Sequence, residues 1–192
     1  MARLVASLVF LGWTLVALGV DPGLADQLRQ GGFVLYIRHA STDFSKDDAR
    51  MASFEDCANQ RPLTDKGRDE ARAVAAQIKR LRIPIGKVYA SPFCRTVETA
   101  MLAFGKAEKM QEVRGGPVRS DDPKRYDALK RLLATPPAPG TNNVISSHGN
   151  PFYVVFGAPY LAEGELAVVR PGGKDGFALA ERIRLEEWAV LK

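Results

Sequence analysis

The chain has 192 residues, 46% apolar and 26% charged, with a formal net charge of +5. This is ordinary globular composition, long enough for one good core. A basic chain favours anionic partners, but its Lys and Arg residues are scattered and no basic block is interleaved with aromatics, so no nucleic acid partner is expected.

The first 25 residues stand apart. Met1-Ala2-Arg3 is a short basic start, and Leu4 to Val20 is almost unbroken apolar sequence. Asp21-Pro22-Gly23 breaks that run, and Gly23-Leu24-Ala25 is a small-x-small site. The pattern reads as a signal peptide over 1–25, cleaved after Ala25 to leave Asp26 as the first residue and 26–192 as a single domain. The alternative is an uncleaved anchor helix, since the run is long for a signal core. No later segment is apolar enough to span a membrane, so no stable span is expected after cleavage. The address implied is periplasmic or secreted. An even pair of cysteines, Cys57 and Cys94, permits a disulfide in an exported protein.

The first strand is expected over Phe33–Arg38, an apolar run that ends abruptly at Arg38-His39. The region Ala40–Gln60 is polar and irregular, with Lys46-Asp47-Asp48 as a solvated loop. Thr64 is the expected N-cap of a helix whose apolar stripe is Ala71, Val74, Ala75, Ile78 and Leu81. Ile83-Pro84 ends it, and Val88-Tyr89-Ala90 is a short second strand. Ser91-Pro92 reads as an N-cap and first-turn proline, opening a helix that stops at Gly105. Lys106–Asp122 is irregular. Lys124–Ala134 is helical with Leu129, Leu132 and Leu133 inward, and Pro136–Gly140 is a stiff connector. Asn143–Ser147 is a third strand, and Asn150-Pro151 repeats the cap-and-proline pattern before a helix to Phe156. Leu166–Val169 and Phe177–Ile183 are two late strands about a turn at Pro171-Gly172-Gly173. Alternation of strands and helices predicts an α/β fold, a three-layer α/β/α arrangement on a mostly parallel sheet.

On that scaffold the polar outliers converge. His39 follows the first strand, Ser91 and Arg95 the second, His148 the third; these are the only two histidines of the chain. Parallel strands would deliver all three loops to the carboxyl edge of the sheet, where open α/β folds build their sites. Arg38 and Arg95 supply two planar guanidinium forks suited to phosphate oxygens.

These residues resemble the histidine phosphatase superfamily, the clan of phosphoglycerate mutase-like proteins and histidine acid phosphatases. Arg38-His39-Ala40-Ser41 resembles its RHG/RHA signature, and Leu63-Thr64-Asp65-Lys66-Gly67 with Ala71 is similar to its L-T-x-x-G-x-x-x-A helix start. Ser91-Pro92-Phe93-Cys94-Arg95 with Thr99-Ala100 resembles the S-P-x-x-R-x-x-x-T-A block, and Ser147-His148-Gly149 the second-histidine motif. The resemblance runs from about residue 33 to 183. It departs at Ala40, where better-known members carry Gly, and at Gly149, where phytase-like members carry Asp. The mutase-type glutamate context is not recognisable in Gly105–Gly140.

The resemblance implies a phosphoglycerate mutase-like fold and phosphoryl transfer through a phosphohistidine. His39 would be the nucleophile, and Arg38, Arg95 and His148 would bind and balance the phosphoryl oxygens. No metal and no cofactor is implied. The expected activity is that of an exported phosphomonoesterase, acting on a phosphorylated small molecule or an envelope sugar phosphate. The alternatives are a protein phosphohistidine phosphatase and a non-catalytic phosphate- or envelope-binding protein. Oligomeric state is not legible. Both cysteine-bearing loops are expected at the same crevice, where a Cys57–Cys94 disulfide competes with two buried free thiols. The motifs supply no proton donor for the leaving group. Glu163, in Glu163-Gly164-Glu165, is the preferred general acid, because Gly164 would let the backbone approach the site and a short connection returns the segment to that edge. A solvated turn is the plainer alternative, and Glu165, Asp43 and Asp121 are the other carboxylates in view.

Overall fold

Val34–Arg38 (β1) is apolar on successive residues because both faces of the sheet it joins are covered. In the computed structural model, which describes residues 20–116, 122 and 124–192, the other strands are Ile85–Ala90 (β2), Glu108–Lys109 (β3), Asn142–Ser147 (β4), Leu166–Pro171 (β5) and Phe177–Ile183 (β6). They form one sheet in the order β3-β2-β4-β1-β5-β6. Strands β1, β2, β3 and β4 pair in parallel, while β5 runs antiparallel to β1 and β6 antiparallel to β5. The mostly parallel α/β fold expected from the sequence is the fold observed.

The helices are Leu24–Gln30 (α1), Asp65–Arg80 (α2), Cys94–Phe104 (α3), Asp127–Ala134 (α4) and Gly149–Phe156 (α5). Period-two alternation divides β1 between two cores. Leu35 and Ile37 pack with α1, α2, α3 and the C-terminal Trp188; Val34 and Tyr36 pack with Leu129 and Leu133 of α4 and Phe152 of α5. Leu24 and Ala25, at the expected cleavage point, lie in the first turn of α1, and both are buried with Val20 and Leu28 in the first of these cores.

Several local expectations shift. Ser91 does not cap a helix: α3 starts at Cys94 with Phe93 as its N-cap, because the Ser91 hydroxyl is drawn to His148 (2.8 Å). Helix α5 starts at Gly149 with His148 as its N-cap, so Asn150 lies inside the first turn instead of capping it. Asp48, expected in a solvated loop, turns inward to Arg95. The stretch 106–122, expected to be irregular, contains the short edge strand β3.

The two cysteines are joined, with Cα atoms 5.7 Å apart across 37 residues of sequence. The link fastens the Ala40–Gln60 loop to the first turn of α3. Closing a loop of that size stabilises the fold by roughly 3–4 kcal/mol on a chain-entropy account. Gln60 adds to the junction, its Oε1 accepting from the Cys94 N–H at 2.8 Å, and Phe54 meets Phe93 edge-on.

Helix α2 begins as expected, with the Thr64 hydroxyl accepting from the Gly67 N–H at 3.0 Å. Its first turn is pressed on the loop after β1: the Ser41 carbonyl accepts from the Thr64 N–H, and a Cβ on Gly67 would stand 2.1 Å from that same oxygen. Only a residue without a side chain allows this approach. Gly67→Ala should therefore displace Ser41 and lower stability by about 1–3 kcal/mol. Denaturant unfolding of the variant beside the native protein checks it; an unchanged midpoint would show that the loop yields without cost.

Candidate active site

The carboxyl ends of β1, β2 and β4 meet at one edge of the sheet, as their parallel pairing requires. Arg38 ends β1 and His39 follows it; Ser91 follows β2; Ser147 ends β4 and His148 follows it. The two imidazoles lie edge to face with centroids 5.4 Å apart. With Arg38, Arg95 and Arg61 they line a cavity of about 330 Å³, whose rim includes Asn150 and Tyr160.

His39 is held from several directions. Its backbone N–H donates to the Ser147 carbonyl at 3.0 Å, its own carbonyl accepts from the Gly164 N–H at 3.0 Å, and the next N–H, of Ala40, donates to the Thr99 hydroxyl at 3.1 Å. Nδ1 lies 3.0 Å from the Ala40 carbonyl, which accepts a hydrogen bond from Nδ1–H and leaves the lone pair on Nε2. Gly164 has φ +77°, a conformation suited to glycine, and this lets its N–H close on the end of β1.

His148 is fixed by three contacts. Ser91 Oγ is 2.8 Å from Nε2, the Tyr36 hydroxyl donates to the His148 carbonyl at 2.7 Å, and the Phe93 ring meets the imidazole edge-on at 5.1 Å. The same Phe93 ring serves Arg95, whose guanidinium lies 4.5 Å from its centroid.

The cavity is strongly electropositive. Arg38, Arg61 and Arg95 each carry a buried Nε with no hydrogen-bond partner among the described residues. Buried unpartnered donors are rare and costly, and three around one cavity suit an anion with several oxygens. Arg61 was not anticipated from the sequence. Its signal was its place, immediately before the Pro62-Leu63-Thr64 start of α2, which folds back over the loop after β1.

The candidate acids separate in space. Glu163 does not line the cavity. Its carboxylate accepts from the Thr42 N–H (3.2 Å), the Thr42 hydroxyl (2.8 Å) and Arg38 (3.4 Å), and lies 3.8 Å from His39 Nδ1. That is the Nδ1 side of the ring, away from Nε2 and outside the cavity. Glu165 is paired with Arg182 at 2.7 and 2.8 Å. Asp43 accepts from Ser45 at the surface, and Asp121 lies outside the described residues. The one carboxylate lining the cavity among the described residues is Asp48, whose Oδ1 accepts from Arg95 at 2.9 Å and from the Arg61 N–H at 2.9 Å.

Residues 34–116 match the family described as the histidine phosphatase superfamily (branch 1). That stretch carries Arg38, His39, Arg61 and Arg95. Among solved structures, the chain is similar to the protein histidine phosphatase SixA complexed with tungstate, at 22% identity over 80% of this chain and 97% of that one, with a TM-score of 0.55. It is similar to the putative phosphohistidine phosphatase SixA from Agrobacterium tumefaciens at 16% identity, 80% and 98% coverage and TM-score 0.55. A phosphoserine phosphatase variant from Entamoeba histolytica in complex with phosphoserine matches at 15% identity, 81% and 98% coverage and TM-score 0.55. At these identities the likeness is one of fold. No curated protein sequence matches.

Burial holds both histidines well below their ordinary value of 6.5, and the neighbouring arginines push the same way; for His148 the nearby His39 adds to this. Both rings are thus neutral at pH 7. In the unfolded chain the same rings take up protons as pH falls past about 6.5. The unfolded state then binds more protons than the folded one, so stability is full above that value and is lost as pH falls below it. With two such rings the slope approaches about 2.7 kcal/mol per pH unit. Denaturant unfolding at pH 7.5, 6.5 and 5.5 should show the decline, and His39→Ala with His148→Ala should flatten it.

Proposed function

We propose that this chain is an exported phosphatase that hydrolyses phosphomonoesters through a phosphohistidine on His39. The observation that carries the reading is the pairing of a neutral, tautomer-fixed imidazole with three guanidinium groups whose buried Nε atoms have no partner among the described residues. The phosphatase part agrees with the superfamily match and with the fold of the neighbouring structures. Export, the phosphohistidine and the substrate class are our own extension.

In this reading a phosphoryl group binds with its oxygens among Arg38, Arg61, Arg95 and His148. The His39 Nε2 lone pair attacks phosphorus in line with the ester oxygen, which departs toward the mouth. The three guanidinium groups balance charge on the equatorial oxygens, which is the largest part of catalysis in such transfers. Glu163 and the Ala40 carbonyl hold the ring and favour the positive charge it acquires on phosphorylation. Water then attacks the phosphohistidine and releases phosphate. Envelope sugar phosphates fit as substrates through the export reading. A protein phosphohistidine as substrate is the second reading, favoured by the likeness in fold to the SixA structures.

The buried start of α1 bears on processing. Cleavage after Ala25 would take Val20, Leu24 and Ala25 out of the core. A cut that leaves the core whole falls ahead of Val20, where Ala17-Leu18-Gly19 offers a second small-x-small site. We place cleavage after Gly19. N-terminal sequencing of protein from the native host should then read Val20; Asp26 would restore the later site, and an intact Met1 would remove the export reading.

His39→Ala should abolish turnover of p-nitrophenyl phosphate and leave no acid-labile phosphoenzyme after quenching with radiolabelled substrate. Near-native turnover by this variant would exclude the phosphohistidine route.

A further inference from the structure

In-line displacement puts a demand on the mouth of the cavity that none of the residues assigned so far meets. His39 is at the floor, 1% exposed. Its attack drives the leaving oxygen the opposite way, toward solvent, and an alkoxide leaving there needs a proton. The arginines cannot give one up at any working pH. His148 is buried and neutral with Nε2 occupied by Ser91, and Tyr160 donates its hydroxyl proton to Asn150 at 2.9 Å.

We propose that Asp48 is the proton donor to the leaving group, a catalytic residue of the phosphatase reading on which this inference rests. It is the carboxylate that lines the cavity among the described residues, and its side chain is 30% exposed, at the boundary between cage and solvent. Its hydrogen bonds to Arg95 and to the Arg61 N–H fall on Oδ1. Oδ2 has none among the described residues and is the oxygen available to carry a proton. The loop that bears it is anchored close by, through the Cys57–Cys94 link and the Gln60–Cys94 hydrogen bond.

The bridge to Arg95 also explains how the carboxyl becomes an acid. Without substrate, Asp48 Oδ1 rests on the Arg95 guanidinium. A phosphoryl group takes Arg95, together with Arg38 and Arg61, for its own oxygens. Asp48 then faces an anion where it had faced a cation, and the proton it will donate reaches Oδ2 from solvent. In the first half-reaction the Nε2–phosphorus bond forms as the phosphorus–oxygen ester bond breaks. The ester electron pair goes to the leaving oxygen, which takes the proton from Asp48 Oδ2. In the second half the Asp48 carboxylate takes a proton from water as that oxygen bonds phosphorus. The phosphorus–nitrogen pair returns to His39, and the carboxyl is reset.

The alternative is that Asp48 does no more than neutralise Arg95. The leaving group distinguishes the two. Asp48→Asn keeps an oxygen for Arg95 and for the Arg61 N–H but has no proton to donate at Oδ2. On glycerol 3-phosphate, whose alkoxide leaves poorly, kcat/KM should fall by about 10²–10⁴-fold. On p-nitrophenyl phosphate, whose phenolate leaves unaided, the fall should be less than about ten-fold. Equal losses on the two substrates, or no loss on either, would overturn the assignment. Should the variant not fold, the native protein supplies the readout across a series of aryl and alkyl phosphates. A shallow dependence of kcat/KM on leaving-group pKa is expected, and a steep one overturns the proposal. Native protein that neither turns over p-nitrophenyl phosphate nor forms a phosphoenzyme would sink the phosphatase reading itself, which is a different failure.

Discussion

Three guanidinium groups concentrated in a cavity of about 330 Å³ repel one another, and much of this fold serves to hold them there. Arg38 is set by the end of β1 and tied to the Leu161 carbonyl at 2.8 Å. Arg95 is carried by the first turn of α3 and lies over Phe93. Arg61 is brought in by the segment that folds back before α2. Each comes from a different element, so the cluster exists only when all three are docked. Two carboxylates temper the charge from opposite sides: Asp48 toward the mouth, on Arg95, and Glu163 behind the floor, on Arg38. Electrostatics of this kind oppose folding and favour an anionic ligand, which is the trade expected where a site is preorganised for phosphate.

The same packing sets the state of the histidines. Desolvation and neighbouring positive charge both disfavour imidazolium, so His39 is neutral without any base to remove its proton. What the ring needs is orientation. The Ala40 carbonyl supplies it at Nδ1, and Thr99, from the arginine helix, fixes the Ala40 peptide. Thr99 thereby couples the helix that carries Arg95 to the loop that carries His39. Ser91 acts in a similar way, since its hydroxyl serves His148 and not the helix that follows.

The Ala40–Gln60 loop is the least regular part of the site and the most heavily fastened. Long loops without secondary structure lose more entropy on ordering than the elements they join. Here the disulfide, the Gln60–Cys94 hydrogen bond and the Phe54–Phe93 contact all act at its far end, next to the residue that places Arg95. The loop is therefore held where it carries Asp48 into the cavity.

The sequence by itself determined the alternation of strands and helices, the sheet edge at which Arg38, His39, Arg95 and His148 meet, and the cap of α2. Those signals are local: strand periodicity, the Thr64–Gly67 turn and parallel topology need only neighbouring residues and general rules of connection. The tertiary structure alone decided the rest. Ser91 has the look of a cap in the chain, yet its hydroxyl finds a partner 57 residues away in His148. Glu163 and Asp48 are both acids in polar loops, and nothing in their neighbours tells which faces the cavity. That depends on Gly164 closing over the end of β1, which puts Glu163 behind His39, and on the disulfide holding its loop against α3, which puts Asp48 before it. Leu24 is apolar and Ala25 small, and such residues serve equally at a cleavage site and in a helix. Their burial against α2 and the sheet is a contact between segments far apart in the chain, and no local pattern encodes it.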